Sequence, residues 1–224
     1  MKKKYTIVIV ALTLCLSLSS IFTSNKADAA TDVTTSYSKI LAENALDMAY
    51  YAYRERELSS TYPIATGQYF ASKVKTGGPW DYKRKYTGSY IYRGNNVKGE
   101  DLGNIHYGYV GSAAGFSVTT LKSAAGAYQI KSSTAKVKWY STYFDDPNDQ
   151  KWISYGITMW QYGTLPDYSS ALRTSKIATT DSITMPNIKT PDGNYDFSKL
   201  SDEKKKEIDE QVKKDVQEIQ AEQE

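Results

Sequence analysis

Asn104 to Ile130 reads NIHYGYVGSAAGFSVTTLKSAAGAYQI, and Lys122 is its only charged side chain. Small residues at Gly108, Gly111, Ser112 and Gly115 recur three and four apart, the spacing that gathers them on one helical face and lets another backbone approach closely. Glycine costs about 1 kcal/mol against alanine inside a helix, so a group of them needs a packing or functional reason. The stretch predicts two helices. Gly115 closes the first, Ser117 caps the second, and Leu121, Ala124, Ala125 and Tyr128 form the buried face of the second. His106, the only histidine of the chain, stands near the start of the glycine face.

Upstream, Pro79 to Gly103 is irregular and rich in Tyr, Gly and Asn, which predicts a long surface excursion with a short hairpin at Tyr90 to Arg93. Before it, Ser36 can cap a helix running to Leu58 with Ile40, Leu41, Ala45, Met48, Ala49 and Ala52 on its apolar side. A second helix is expected over Gly67 to Lys75, closed by Gly77 and Gly78. Downstream, Val137, Trp139 and Tyr143 alternate as a strand does, and an apolar segment runs from Trp152 to Tyr162. Residues 166–200, with Pro166, Pro186 and Pro191, read as a linker. Residues 201–224 read as a charged, solvated, loosely packed helix capped by Ser201, with a thin stripe of Ile208, Val212, Val216 and Ile219. The fold expected is mainly α, α+β with minor strands. It is one compact domain over residues 30–165, with an N-terminal signal peptide and a C-terminal linker plus amphipathic tail helix.

The N-terminus carries Lys2, Lys3 and Lys4, an apolar run from Tyr5 to Phe22, and the small-x-small sequence Ala27, Asp28, Ala29, which together predict a signal peptide over 1–29. Interruption of the run by Thr13, Ser17, Ser19 and Ser20 argues against a retained anchor, so a secreted, extracellular protein with no stable membrane anchor after cleavage is expected. The single cysteine, Cys15, leaves with the signal, so the mature chain has no disulfide and needs a full hydrophobic core. Cleavage also removes four lysines and one aspartate, which brings the formal net charge from +3 to zero. That zero is uneven: from Asp181 onward seven basic side chains face twelve acidic ones, which leaves the body basic and open to an anionic polymer partner.

Several motifs then fall in one order: Gly78, Trp80 and Asp81 in TGGPWDYK, the run NIHYGYVG from Asn104 to Gly111, Ala114 to Phe116, then Leu121, Ala125, Gly126 and Gln129, and finally Asp145, Asp146, Pro147 and Asp149. Together they resemble the bacterial polymorphic toxin type 44 domain, over roughly Gly67 to Ile157. The resemblance implies a secreted toxin-like hydrolase, a predicted nuclease acting on RNA, with a neutralising immunity protein as a possible partner. It implies no mechanism, which has to come from the side chains.

One histidine excludes a two-histidine acid and base pair and a zinc site built of histidines. A metal-free ribonuclease would use His106 to move the ribose 2'-hydroxyl proton, a second acid or base, and cations at the developing phosphorane. Asp101, Asp145 and Asp81 are the catalytic candidates beside His106. Trp80, Lys83, Asn104, Tyr107 and Arg93 are the substrate-binding candidates, because flat rings stack on bases and cations meet phosphates. The other reading of His106 is a histidine hydrogen-bonded inside an aromatic cluster. In FDDPNDQ, residues 144–150, Asp146, Pro147 and Asp149 fit a helix start, which leaves Asp145 as the carboxylate without a structural account. No cofactor is called for, although a divalent metal on Asp81, Asp101 and Asp145 is an open alternative, whereas a calcium loop lacks its spaced ligands. Export keeps two further classes open: a peptidoglycan hydrolase using Asp101 and Asp145 as acid and base, and a non-catalytic secreted interaction protein on a toxin-like scaffold.

Overall fold

The computed structural model describes residues 30–131, 145–166 and 195–222. The expected signal peptide, the strand around Val137 to Tyr143 and most of the expected linker lie outside these residues. The elements are β1 (Thr31–Asp32), α1 (Thr34–Leu58), α2 (Ile64–Val74), α3 (Tyr82–Lys85), β2 (Ser89–Tyr92), β3 (Asn95–Lys98), α4 (Gly99–Ala113), α5 (Val118–Lys131), α6 (Pro147–Gln161) and α7 (Asp202–Ala221). The protein is mainly helical, with one small sheet in the order β1-β2-β3, β1 parallel and β3 antiparallel to β2.

The expected long excursion is therefore structured. It holds α3, a hairpin and the first turn of α4. Arg93 and Gly94 both have positive φ, 51° and 74°, and they join Tyr92 to its partner Asn95 in the two-residue turn whose twist suits a hairpin. The second strand is hard to read because its Asn95 and Asn96 are exposed and only Val97 turns inward.

Helices α4 and α6 make the most extensive contact between elements among the described residues. A Cβ on Gly108 would collide with the carbonyl oxygen of Ile153, and a Cβ on Gly156 with that of Ile105. Each helix thus presses a bare backbone position into the other. Asn104 meets Asp149 at the same end of the pair, so the two helices run parallel with their N-termini together. Helix α4 ends as expected at Gly115: with φ 90° it lets the amide of Phe116 bond back to Gly111 and its own amide to Ser112, the motif that closes a helix on a left-handed residue.

Helix α1 lies against α4, with Tyr37, Leu41, Ala45, Met48 and Ala52 buried. Near its end Glu55 is fully buried yet fully hydrogen-bonded. It accepts from the Thr61 and Thr66 hydroxyls and from the amides of Ala65 and Thr66. Those amides are the unsatisfied donors of the first turn of α2, so one carboxylate joins α1 to α2 and sits at the positive end of the α2 dipole.

The C-terminal segment departs from expectation. Ser201 does cap α7, accepting from the amide of Lys204, but the stripe Ile208, Val212, Val216 and Ile219 is buried on α1 and α2. The polar rows flanking it are matched as well: the Tyr51 hydroxyl donates to Asp215 at 2.6 Å, Arg54 meets Asp209 at 2.7 Å and Lys204 meets Asp47 at 3.6 Å. The end of the expected linker packs too. Tyr195 donates its hydroxyl to the Ala113 carbonyl at 2.9 Å and stacks between Trp160 and Phe197. The physical reason is the width of the α1 face, whose alanines and tyrosines extend too far round the helix to be covered by α4 alone.

Replacing Gly108 or Gly156 by alanine is expected to cost about 1–3 kcal/mol or more through overpacking against backbone, read as a lower denaturation midpoint at unchanged slope. Deleting residues 195–222 removes four buried branched side chains worth about 1.5–3 kcal/mol each and bares the faces of α1 and α2 that they cover. The expected outcome is a fall in Tm of more than about 10 °C, and an unchanged Tm would show that the tail is loosely attached after all.

Candidate functional site

Two groups of expected site residues lie on different sides of α4. The first surrounds His106, which is sealed in the interior at 1% exposure. Its Nε2 lies 2.9 Å from the Asn44 amide nitrogen, which also donates to the Tyr82 hydroxyl at 2.8 Å. Tyr82 and Trp80 cover the ring with centroids 4.7 and 5.2 Å away. Since the Asn44 nitrogen can only donate, Nε2 is the acceptor and the proton sits on Nδ1, a buried donor with no hydrogen-bond acceptor among the described residues. Burial, reinforced by the Lys85 charge, pushes the imidazole down to about 3, so it is neutral across the physiological range. His106 was expected on the rim of an open site facing carboxylates. The structure turns it the other way, into the aromatic cluster, because position 106 faces α1 and α3 while 101, 104 and 108 face α6.

The second group forms where the N-termini of α4 and α6 meet. Asp101 accepts from the Lys98 amide at 2.8 Å, closing the start of α4, and from the Asn148 side chain at 3.0 Å, which reaches over from α6. Asn104 donates to Asp149 at 2.8 Å. Asp146 caps α6 through the Asn148 amide with Pro147 in the first turn, as its sequence predicts. Asp145 is buried and accepts from Gln150 at 2.7 Å. Half-buried Asp149 carries the largest burden: burial, then the charges of Glu100 and Asp145, push its carboxyl up to about 6 against the pull of Asn104. At the solvent edge, Lys83 of α3 donates to Glu100. Thus Asp101, Asn104, Asp145 and Lys83 are brought together, and with them Asp149 and Glu100, which sequence reasoning did not single out. Asp149 reads locally as a helix-start acid, and no pattern marks Asn104 as its partner 45 positions away.

The other candidates stand apart. Asp81 accepts from the Gly77 amide at 2.8 Å and pairs with Arg84 at 3.4 Å, which holds the turn before α3. Arg93 forms the hairpin turn, its amide bonded to Thr34 and its guanidinium 5.8 Å from the Tyr155 ring centre. Tyr107 donates to the Leu121 carbonyl at 3.0 Å and stacks on Phe70, tying α4 to α5. Trp80 belongs to the His106 group. Among the described residues no three His, Cys, Asp or Glu side chains gather closely enough to hold a metal ion, so Asp81, Asp101 and Asp145 do not form a ligand set.

The seam motifs fall inside a match to a known family, described as bacterial toxin 44, over residues 69–162. Residues 69–162 are similar to a bacterial toxin 44 domain. No curated protein and no solved structure matches the chain. The toxin 44 segment runs from within α2 to the end of α6 and so contains both halves of the Asn104–Asp149 contact. Helix α1 and the C-terminal segment lie outside the match and pack against it. Among the described residues no helix is long and apolar enough to cross a membrane.

The two shifted groups act on stability with opposite sign. His106, lowered in the fold from 6.5 to about 3, withdraws stability as pH falls below 6.5, whereas Asp149, raised from 3.8 to about 6, adds it as pH falls through 6. Between about pH 6 and 4 they offset. In Asp149→Asn the histidine effect is expected to stand alone, as a steeper loss of stability on acidification, and the His106 ring signals should stay unprotonated by NMR down to about pH 4. A ring titrating near 6.5 would mean that it meets solvent.

Proposed function

We propose that this protein is an exported toxin-like hydrolase that cleaves RNA at the α4–α6 seam, with Asp149 in the role the sequence suggested for His106. The observation that carries the reading is the Asp149 carboxyl itself, half-buried, oriented by Asn104 and tuned to about 6 beside an exposed lysine. A carboxyl so placed is half-ionised just below neutral pH, where a general base is most useful. The toxin 44 domain supports the class of protein, and the expected signal peptide supports export.

In this mechanism ionised Asp149 takes the ribose 2'-hydroxyl proton. The 2'-oxygen bonds to phosphorus, the bond from phosphorus to the 5'-oxygen breaks, and the leaving oxygen takes a proton from solvent. Lys83 stands at the edge to meet the charge that grows on the phosphorane. Asp101 does not touch substrate; with both oxygens bonded to Lys98 and Asn148, it positions the two helix ends. His106 holds the packing between α1, α3 and α4.

A second reading is favoured by the acidity of the seam, where Glu100, Asp145 and Asp149 outnumber Lys83. Such a group suits a neutral glycan better than a polyanion, with protonated Asp149 as the acid of a cell-wall hydrolase. The pH profile separates the two. As a base on RNA, Asp149 loses activity as pH falls through about 6; as an acid on glycan, it loses activity as pH rises through the same value. Digestion of purified RNA and clearing of isolated cell walls, each across pH and with and without chelator, decide between them. Asp149→Asn is expected to lower the rate about 10²–10⁴-fold on the true substrate. Full activity in that variant would remove the seam from the mechanism.

A further inference from the structure

In the basic run Lys83, Arg84, Lys85 each cation is already engaged within the protein. Arg84 pairs with Asp81, Lys85 donates to the Pro79 carbonyl and Lys83 donates to Glu100. Of these three, the Lys83 side chain reaches the first turn of α4. Both partners of that contact are exposed, the lysine side chain at 64% and the glutamate at 45%, so neither is held there by burial. An exposed pair of this kind is worth less than about 1 kcal/mol and exchanges readily for another anion. Glu100 sits one turn before Asn104 on α4, and Asn104 bonds Asp149. The pair therefore stands at the mouth of the Asp149 site, and a substrate anion reaching for Lys83 meets Glu100 first.

We propose that Glu100 is a specificity residue that acts as a built-in anion: its carboxylate occupies Lys83 in the free protein, and an anionic oxygen group of a polymer substrate displaces it on binding. This deepens the RNA reading above and rests on it for the identity of the polymer. The charge sorting follows directly. A neutral polymer gains nothing from the exchange, while a polymer with regularly spaced phosphates recovers the Lys83 contact and repels Glu100 outward. Glu100 also faces Asp149, whose charged neighbours among the described residues include Asp145 and Asp146 at the start of α6 and Lys83 on α3.

The test uses the mature chain and its Glu100→Gln, Lys83→Gln and double variants. Two probes are used: a labelled 2'-O-methyl oligoribonucleotide, which binds without reacting, and inorganic phosphate followed by the NMR signals of Lys83. Glu100→Gln is expected to tighten oligonucleotide binding about twofold to fivefold, the worth of an exposed pair. The gain should vanish in the Lys83→Gln background, and the Asp149 carboxyl signal should titrate at lower pH. An equal gain without Lys83 would reduce the effect to general repulsion and overturn the proposal, as would an unmoved phosphate response. If phosphate reaches Lys83 only in Glu100→Gln while no variant binds the oligonucleotide, the exchange stands and the RNA reading fails.

Discussion

The architecture depends on one close approach. At Gly108 and Gly156 the backbones of α4 and α6 press together with no side chain between them, and each glycine faces a carbonyl of the other helix. Two parallel helices in such contact bring their N-termini side by side, which aligns two positive dipole ends and leaves a double set of unsatisfied amides. Carboxylates collect there for that reason. Asp101 and Asp146 close the two helix starts, and Asn148 crosses from one to the other to hold them in register.

Such a concentration of acids has a chemical consequence. The caps bond backbone amides at the helix starts, whereas Asp149, in the first turn of α6, is half-buried with Glu100 and Asp145 near enough to oppose its ionisation. His106 shows the complementary case. It resides on α4 two residues after Asn104, and that rotation directs it into a dry aromatic box where its neutral form is the stable one.

Around this pair the remaining elements act as walls. Helix α1 covers one side, Glu55 joins it to α2 by satisfying that helix's first amides, and α7 closes the face that α1 leaves open. A toxin 44 segment of residues 69–162 is accordingly not self-contained in this chain. Part of its apolar surface is sheltered by residues before and after it, with Tyr195 pinned to Ala113 and Trp160 at the junction.

By itself the sequence determined what depends on neighbours along the chain. Helical spacing placed the apolar face of α1 and the glycine face of α4; Gly115 marked a helix end, and Ser117, Asp146 and Ser201 marked helix starts, because capping is a local exchange of hydrogen bonds over a few residues. The glycine face announced a close approach without naming the partner. Only the tertiary structure decided that the partner is α6, that α7 is part of the core, and that Asp149 with Asn104 rather than His106 faces the seam. Those outcomes turn on which side of a helix meets which neighbour, a choice made by packing between segments far apart in the chain. Desolvation and the sum of nearby charges, which set the chemistry of a carboxyl or an imidazole, exist only once that packing is complete.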